Sequence, residues 1–192
     1  MRSGTAWVSA CVAMLALSGP ECAFNAMGQI DPTILQKARR VAQTAASGFE
    51  KYEYALGAGE AAARPGTRKA WAAAFKIPGQ SNVAAAGFKL PPISAAGTIP
   101  GARVKASFNV SQVVGTGLTL VLQVATTGVA GSQHKASTPL TGPGSYTVTT
   151  DPFSLLEGGQ YQAKAFVSAW AGSTEGDLCA AVLTITEIKW EF

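Results

Sequence analysis

The chain has 192 residues, of which 47% are hydrophobic and 14% charged, and a formal net charge of +4. That length holds one domain of ordinary size plus an appendage. So few charges, beside 21 glycines and 10 prolines, argue against extensive charged helical surface and against a free cytosolic enzyme; they favour short strands joined by many turns in a protein that is assembled or surface-bound.

Residues 1–26, "MRSGTAWVSACVAMLALSGPECAFNA", carry one basic residue, Arg2, then an apolar run from Ala6 to Leu17 and a small-x-small site at Ala16-Leu17-Ser18-Gly19. The run is too short to span a bilayer and has the anatomy of a secretory signal peptide, with cleavage after Ser18. Export would leave Cys22 and Cys179 as an even pair able to form a disulfide. A second reading stands beside it: Met27 opens a natural beginning, and residues 1–26 are then an upstream extension or an apolar arm.

Residues 27–68 read as a helical attachment segment and connector. Asp31-Pro32 is a helix start, since Asp caps and Pro at the first position needs no N–H. Ile34, Leu35, Ala38, Val41, Ala42 and Ala45 recur at helical spacing, and Ser47-Gly48 ends the helix. A second short helix is expected from Phe49 to Leu56, and "GAGEAAARPG" is expected to be a flexible connector. From Glu60 to Lys105 seven basic residues face Glu60 alone. Several alternate with apolar residues, so they suit the solvated face of strands better than a nucleic-acid surface.

From Lys69 the period changes to two, and residues 69–192 are predicted to form an antiparallel β-sandwich or jelly roll. Trp71, Ala73, Phe75 and Ile77 share one face; so do Val104, Ala106, Phe108 and Val110; so do Leu118, Leu120, Leu122 and Val124; and Tyr146 pairs with Val148. Tyr161, Ala163, Ala165, Val167 and Ala169 share a face in "YQAKAFVSAW". Turn clusters such as "LTGPGS", "LEGGQ" and "AGSTEGD" punctuate these runs. In the last strand Ala181, Leu183 and Ile185 lie in one phase, and Ile188, Trp190 and Phe192 in the other. A bulge at Thr186-Glu187 is expected to keep both sets buried, so that Ile188, Trp190 and Phe192 close the core.

"GGQYQAKAFVSAW", the polar loop "AGSTEGD" and the final "AAVLTITEIKWEF" together resemble the closing strands of carbohydrate-binding-module-like jelly rolls. Such domains occur in bacteriophage tail fibres, head fibres and other virion appendages, and in secreted glycan-active proteins. The resemblance covers roughly residues 69–192 and is one of pattern. It implies a displayed sandwich that binds host-surface glycan or a neighbouring virion protein.

No residue set points to catalysis. His134, the one histidine, sits in a polar loop, "VAGSQHKAS", with nothing to position a triad. Three scattered cysteines and one histidine do not make a zinc site, and Glu175 and Asp177 in "STEGD" read as solvated turn acids. Neither a cofactor nor a metal is implied. The one surface hint is the second phase of "YQAKAFVSAW": Gln162, Lys164, Phe166, Ser168 and Trp170 alternate outward if Tyr161 and its companions face the core. Polar groups interleaved with two aromatics suit stacking on sugar rings, with Gln162, Lys164, Phe166 and Trp170 as the ligand-binding candidates.

The expectation is a non-enzymatic structural or adhesive protein of a phage particle, a fibre, capsid-decoration or attachment component. It would self-associate, as a trimer in the simplest case, and contact other virion proteins, with no nucleic acid and no membrane span. The alternative is a secreted bacterial β-sandwich, extracellular or periplasmic, that binds glycan or protein.

Overall fold

In a computed structural model of the chain, the described residues are 48–75, 77, 79–129, 133–171 and 178–192. The expected helix over 32–46, the N-terminal arm, Cys22, Glu175 and Asp177 lie outside them. Twelve strands make up nearly all of the regular structure: β1 (Glu50–Leu56), β2 (Gly59–Arg64), β3 (Lys69–Phe75), β4 (Asn82–Lys89), β5 (Ile93–Ser94), β6 (Ile99–Val114), β7 (Leu118–Thr127), β8 (His134–Pro139), β9 (Gly144–Thr149), β10 (Phe153–Leu155), β11 (Gln160–Ala171) and β12 (Leu178–Glu191). The helical content described is one 3-10 turn, Pro65–Thr67.

Two antiparallel sheets form a sandwich. One runs β1-β4-β11-β7-β8 with β5 beside β11; the other runs β10-β6-β12-β3-β2 with β9 beside β6. The winding is that of a jelly roll. The first half of the chain pairs with the second as one long folded ribbon: β7 with β8, β6 with β9, β4 with β11 and β3 with β12. Because the ribbon wraps around the core, the chain crosses between the sheets again and again, as from β3 to β4, β5 to β6, β6 to β7, β8 to β9 and β11 to β12, and each strand keeps one face inward.

The inward phases are those the alternation requires on β6, β7 and β11: Val104, Ala106, Phe108, Leu120, Leu122, Tyr161, Ala165 and Val167 are all buried. On β3 the inward set is Ala70, Ala72 and Ala74, which face Leu183, Ala181 and Cys179 of β12. The larger Trp71 and Phe75 take the outer side. Apolar size alone did not decide which phase of this strand is the core, because both phases are apolar. Cys179 is fully buried, and its Sγ lies 3.3 Å from the carbonyl oxygen of Ala74.

The register of β12 against β6 shifts between Ile185 and Glu187, where the sequence changes phase. The extra residue turns Ile188 and Trp190 into the core beside Ile185. Arg68 completes the bulge. It holds a left-handed backbone (φ 53), and its Nη1 donates to the Thr186 carbonyl at 3.0 Å. Phe192 is half-buried and packs on the core; its ring stacks near-parallel on Trp190 with centroids 6.3 Å apart. Phe153 meets Trp190 edge-on at 6.2 Å, and His134 stacks on Phe153 at 4.0 Å. These four rings bridge the two sheets at one border of the sandwich.

Three expectations change. Residues Phe49–Leu56 do not form a helix; Glu50–Leu56 is β1, fully paired with β4. "EKYEYAL" carries Tyr52, Tyr54 and Leu56 at period two, and a free sheet edge supplies a ladder that a seven-residue helix cannot match from its own bonds. The expected flexible connector contains β2, paired with β3 from Gly59 to Arg64. β1 and β2 are therefore divided between the sheets, one strand widening each, and the sandwich includes residues N-terminal to the expected boundary at 69. His134 also leaves the loop assigned to it and opens β8, an edge strand whose "HKASTP" carries no large apolar residue and ends on Pro139, as edge strands tolerate.

Candidate functional site

Tyr161, Ala163, Ala165, Val167 and Ala169 fill the core side of β11, so Gln162, Lys164, Phe166, Ser168 and Trp170 stand on the outer face of the β1-β4-β11-β7-β8 sheet. Register places their neighbours. One row reads Glu50, Lys89, Lys164, Gln123, Lys135 across five strands. The next reads Tyr52, Gly87, Phe166, Val121, Ser137, followed by Tyr54, Ala85, Ser168, Thr119, Pro139 and then Leu56, Val83, Trp170.

The four ligand-binding candidates have different surroundings. Trp170 is the open one, 56% exposed. Phe166 is buried, packed with Ala85 and Val121 and covered by Tyr52, whose ring lies 4.9 Å away. Lys164 is half-buried, its Nζ 4.9 Å over the Tyr52 ring, so the face of that tyrosine steadies the ammonium. Gln162 is half-buried, and its Nε2 donates to the Leu90 carbonyl at 3.1 Å. Phe166 is thus a foundation for the face, where the sequence suggested a contact surface.

Gly87 makes that foundation possible. A Cβ at this position would lie 2.5 Å from Cα and 2.6 Å from Cβ of Phe166 and would meet the Ala165 carbonyl oxygen. The Phe166 and Tyr52 side chains lean over the bare backbone instead.

Tyr54 and Leu56, 48% and 53% exposed, stand on β1 across β4 from Ser168 and Trp170. Two strand spacings put those two lines about 10 Å apart, with the small side chains of β4 between them. Neither tyrosine was a sequence candidate, because the segment read as helical; the alternation of Tyr52, Tyr54 and Leu56 was the signal that identifies them.

Electrostatics distinguish the lysines. Lys89 pairs with Glu50 at 3.0 Å. Burial, with the like charge of Lys89 adding to it, holds the Lys164 ammonium below its ordinary pKa. Burial, together with Tyr54, raises the Tyr52 hydroxyl. Gln123 donates through Nε2 to Oε1 of Gln133, so its side chain is held in place beside the lysines.

Elsewhere the chemistry is sparse. Burial lowers the His134 imidazole pKa, and its described ring contact is Phe153. Among the described residues no group of three or more His, Cys, Asp or Glu side chains is placed to hold a metal ion, and no helix is long and apolar enough to cross a membrane. On the opposite sheet a hollow of about 140 Å³ is lined by Ala62, Arg64, Lys69, Ala70, Trp71 and Val182, small beside a typical ligand cleft of several hundred Å³.

No family model matches the chain, and no curated protein matches it. Among solved structures, TmCBM61, determined in complex with beta-1,4-galactotriose, matches at 13% identity and a TM-score of 0.41, over 78% of this chain and 92% of that one. A glycoside hydrolase family 43 arabinoxylan arabinofuranohydrolase from Bacillus subtilis, in complex with cellotetraose, matches at 13% identity and a TM-score of 0.28, over 72% of this chain and 27% of that one. The assignment of a sandwich rests on the strand pairing above, and the choice of site on the residues of this chain.

Proposed function

We propose that the chain is a non-enzymatic glycan-binding β-sandwich whose ligand lies along the outer face of the β1-β4-β11-β7-β8 sheet. The observation that carries this is the placement of two exposed aromatics, Trp170 and Tyr54, on one sheet face beside rows of hydroxyl, amide and ammonium groups. Aromatic rings offer apolar faces to the C–H surface of a sugar, and the polar rows supply donors to its hydroxyls. Six residues of extended strand separate Lys164 from Trp170, about 20 Å. A face of that length suits a chain of sugars better than a single one.

In this reading the protein works as a displayed binding component of a bacteriophage particle, self-associated and docked on other virion proteins. The low charge and strand-rich composition favour such a setting, which rests on the sequence alone. The alternative is a bacterial protein exported through residues 1–18. The N-terminus of the protein isolated from its source separates the two: a start near Gly19 marks export, and a start at Met1 or Met27 in a many-copy particle marks the virion.

The binding claim is tested by a glycan array followed by calorimetry with Trp170→Ala. Loss of one stacking ring is expected to weaken affinity about tenfold, with the melting temperature unchanged because the side chain is exposed. Unchanged affinity in the variant, or no glycan bound by the parent protein, rejects the face.

A further inference from the structure

We propose that the glycan taken by this face is anionic, a polysaccharide carrying uronic-acid carboxylates, held by the lysine row Lys89, Lys164 and Lys135; this rests on the glycan-binding reading above. The row crosses five strands as Glu50, Lys89, Lys164, Gln123, Lys135. Its one carboxylate, Glu50, is already engaged with Lys89. Among the described residues no carboxylate stands within ion-pair distance of Lys164 or Lys135. The row thus carries three positive charges against one negative.

One lysine of the opposite sheet is placed differently. Lys189 on β12 lies 3.7 Å from Glu187 and 3.5 Å from Glu191, two carboxylates along its own strand. That lysine is compensated within the fold. Lys164 is left uncompensated although it is half-buried and adjacent to Lys89, an arrangement that costs stability in the free protein and is relieved when a ligand brings negative charge. The depressed pKa of Lys164 reflects the same cost.

The geometry is also prepared. The Tyr52 ring beneath Lys164 holds the ammonium in place, so little side-chain freedom is lost on binding. Gln123, fixed by Gln133, places an amide between Lys164 and Lys135. A carboxylate there accepts from an ammonium on either side while the sugar hydroxyls meet the amide. Stacking on Trp170 reads the sugar ring, and the lysine row reads the acid. A nucleic-acid strand fits less well: tight phosphate-backbone binding draws on many more cations than three.

The experiment uses the full chain and a panel of galacturonate, glucuronate and mannuronate–guluronate oligosaccharides, each also in its carboxyl-reduced, neutral form. Calorimetry at low and high salt gives the affinities, with Lys164→Gln, Trp170→Ala and, as a control on the other sheet, Lys105→Gln. At least one acidic oligosaccharide is expected to bind about tenfold more tightly than its reduced form at low salt, a margin that shrinks as salt screens it. Lys164→Gln should remove most of that margin, weakening the acidic form far more than the reduced one, while Lys105→Gln should alter neither. Equal binding of acidic and reduced forms, both lost in Trp170→Ala, overturns the acidic assignment and leaves the glycan-binding face standing. Failure to bind any of the panel while a neutral glycan binds in a Trp170-dependent way does the same. Binding of no glycan, or binding indifferent to Trp170, overturns both. A single-stranded oligonucleotide that binds more tightly than every uronate, in a Lys164-dependent way, also overturns the proposal.

Discussion

Glu53 shows how one side chain joins the two sheets at their border. Its position on β1 points to the core side, opposite Ala86, yet it lies beyond the last buried layer. Its Oε1 accepts from the Ala63 N–H of β2 at 2.8 Å, which satisfies an outer donor of an edge strand. That backbone hydrogen bond, assisted by Lys51 at 3.3 Å, holds the carboxyl below the ordinary value of 4.5, while partial burial opposes it. A carboxyl with a depressed folded-state pKa adds stability that is complete above its unfolded value and disappears as pH falls through the folded one. Glu53→Gln should therefore flatten the fall of melting temperature with acidification below about pH 4.5. Thermal melts of parent and variant across that range check this; parallel curves reject it.

Asn82 is a second residue-scale joint and is fully buried. Its Oδ1 accepts from the Ala58 N–H at 2.8 Å, and its Nδ2 donates to the Phe75 carbonyl at 2.8 Å. It thereby fixes the β1–β2 turn to the end of β3. Gly57, in a left-handed conformation at φ 64, leaves room for it, since a Cβ there would meet the Asn82 oxygen. Asn82→Ala leaves two part-buried backbone groups without this partner and is expected to cost about 1–3 kcal/mol. Asn82→Asp should cost at least as much at neutral pH, because a carboxylate oxygen would face the Phe75 carbonyl. Urea unfolding of the three proteins provides the comparison.

At the scale of an element, β12 is the strand whose removal matters most. It pairs with β3 on one side and β6 on the other, and its C-terminal end buries Ile188 and Trp190. Deleting residues 188–192 removes those two side chains with half-buried Phe192 and unpairs β6 from Arg103 to Ala106. At about 2 kcal/mol for each large buried side chain, the loss is a sizeable part of the 5–15 kcal/mol that holds an ordinary domain together. Insoluble or unfolded protein is the expected product. By contrast Lys189→Ser with Glu191→Ser should shift stability by less than about 0.5 kcal/mol, since both groups are exposed and their ion pairs lie in solvent. A truncated chain that is soluble and melts at the parent temperature would contradict this account of the strand.

The whole molecule sets where the domain begins. Without β1 and β2, both sheets end in bare ladders, β4 in one and β3 in the other, and Phe88 loses the Phe49 ring packed edge-on at 5.8 Å. A fragment of residues 69–192 is thus expected to aggregate more and melt about 5 °C or more below a fragment of residues 48–192, at roughly 2–4 °C per kcal/mol for a chain of this size. Equal melting temperatures would place β1 and β2 outside the cooperative unit.

Periodicity in the sequence determined the class of the fold, the phase of β6, β7 and β11, and the bulge in β12, because each is a local pattern: alternation, turn chemistry or a change of phase within one strand. It also set the outward line from Gln162 to Trp170. Tertiary structure decided the rest. "EKYEYAL" and "GEAAAR" became strands because β4 and β3 offered open ladders to them, a non-local gain that no local preference records. Phe166 became a foundation and Trp170 an open ring because Tyr52, 114 positions before Phe166 in the chain, arrived beside one and not the other. The lysine row, likewise, is drawn from five strands and exists only once their register is fixed. A sequence states which residues alternate together; what stands next to them across a sheet is set when the ribbon closes.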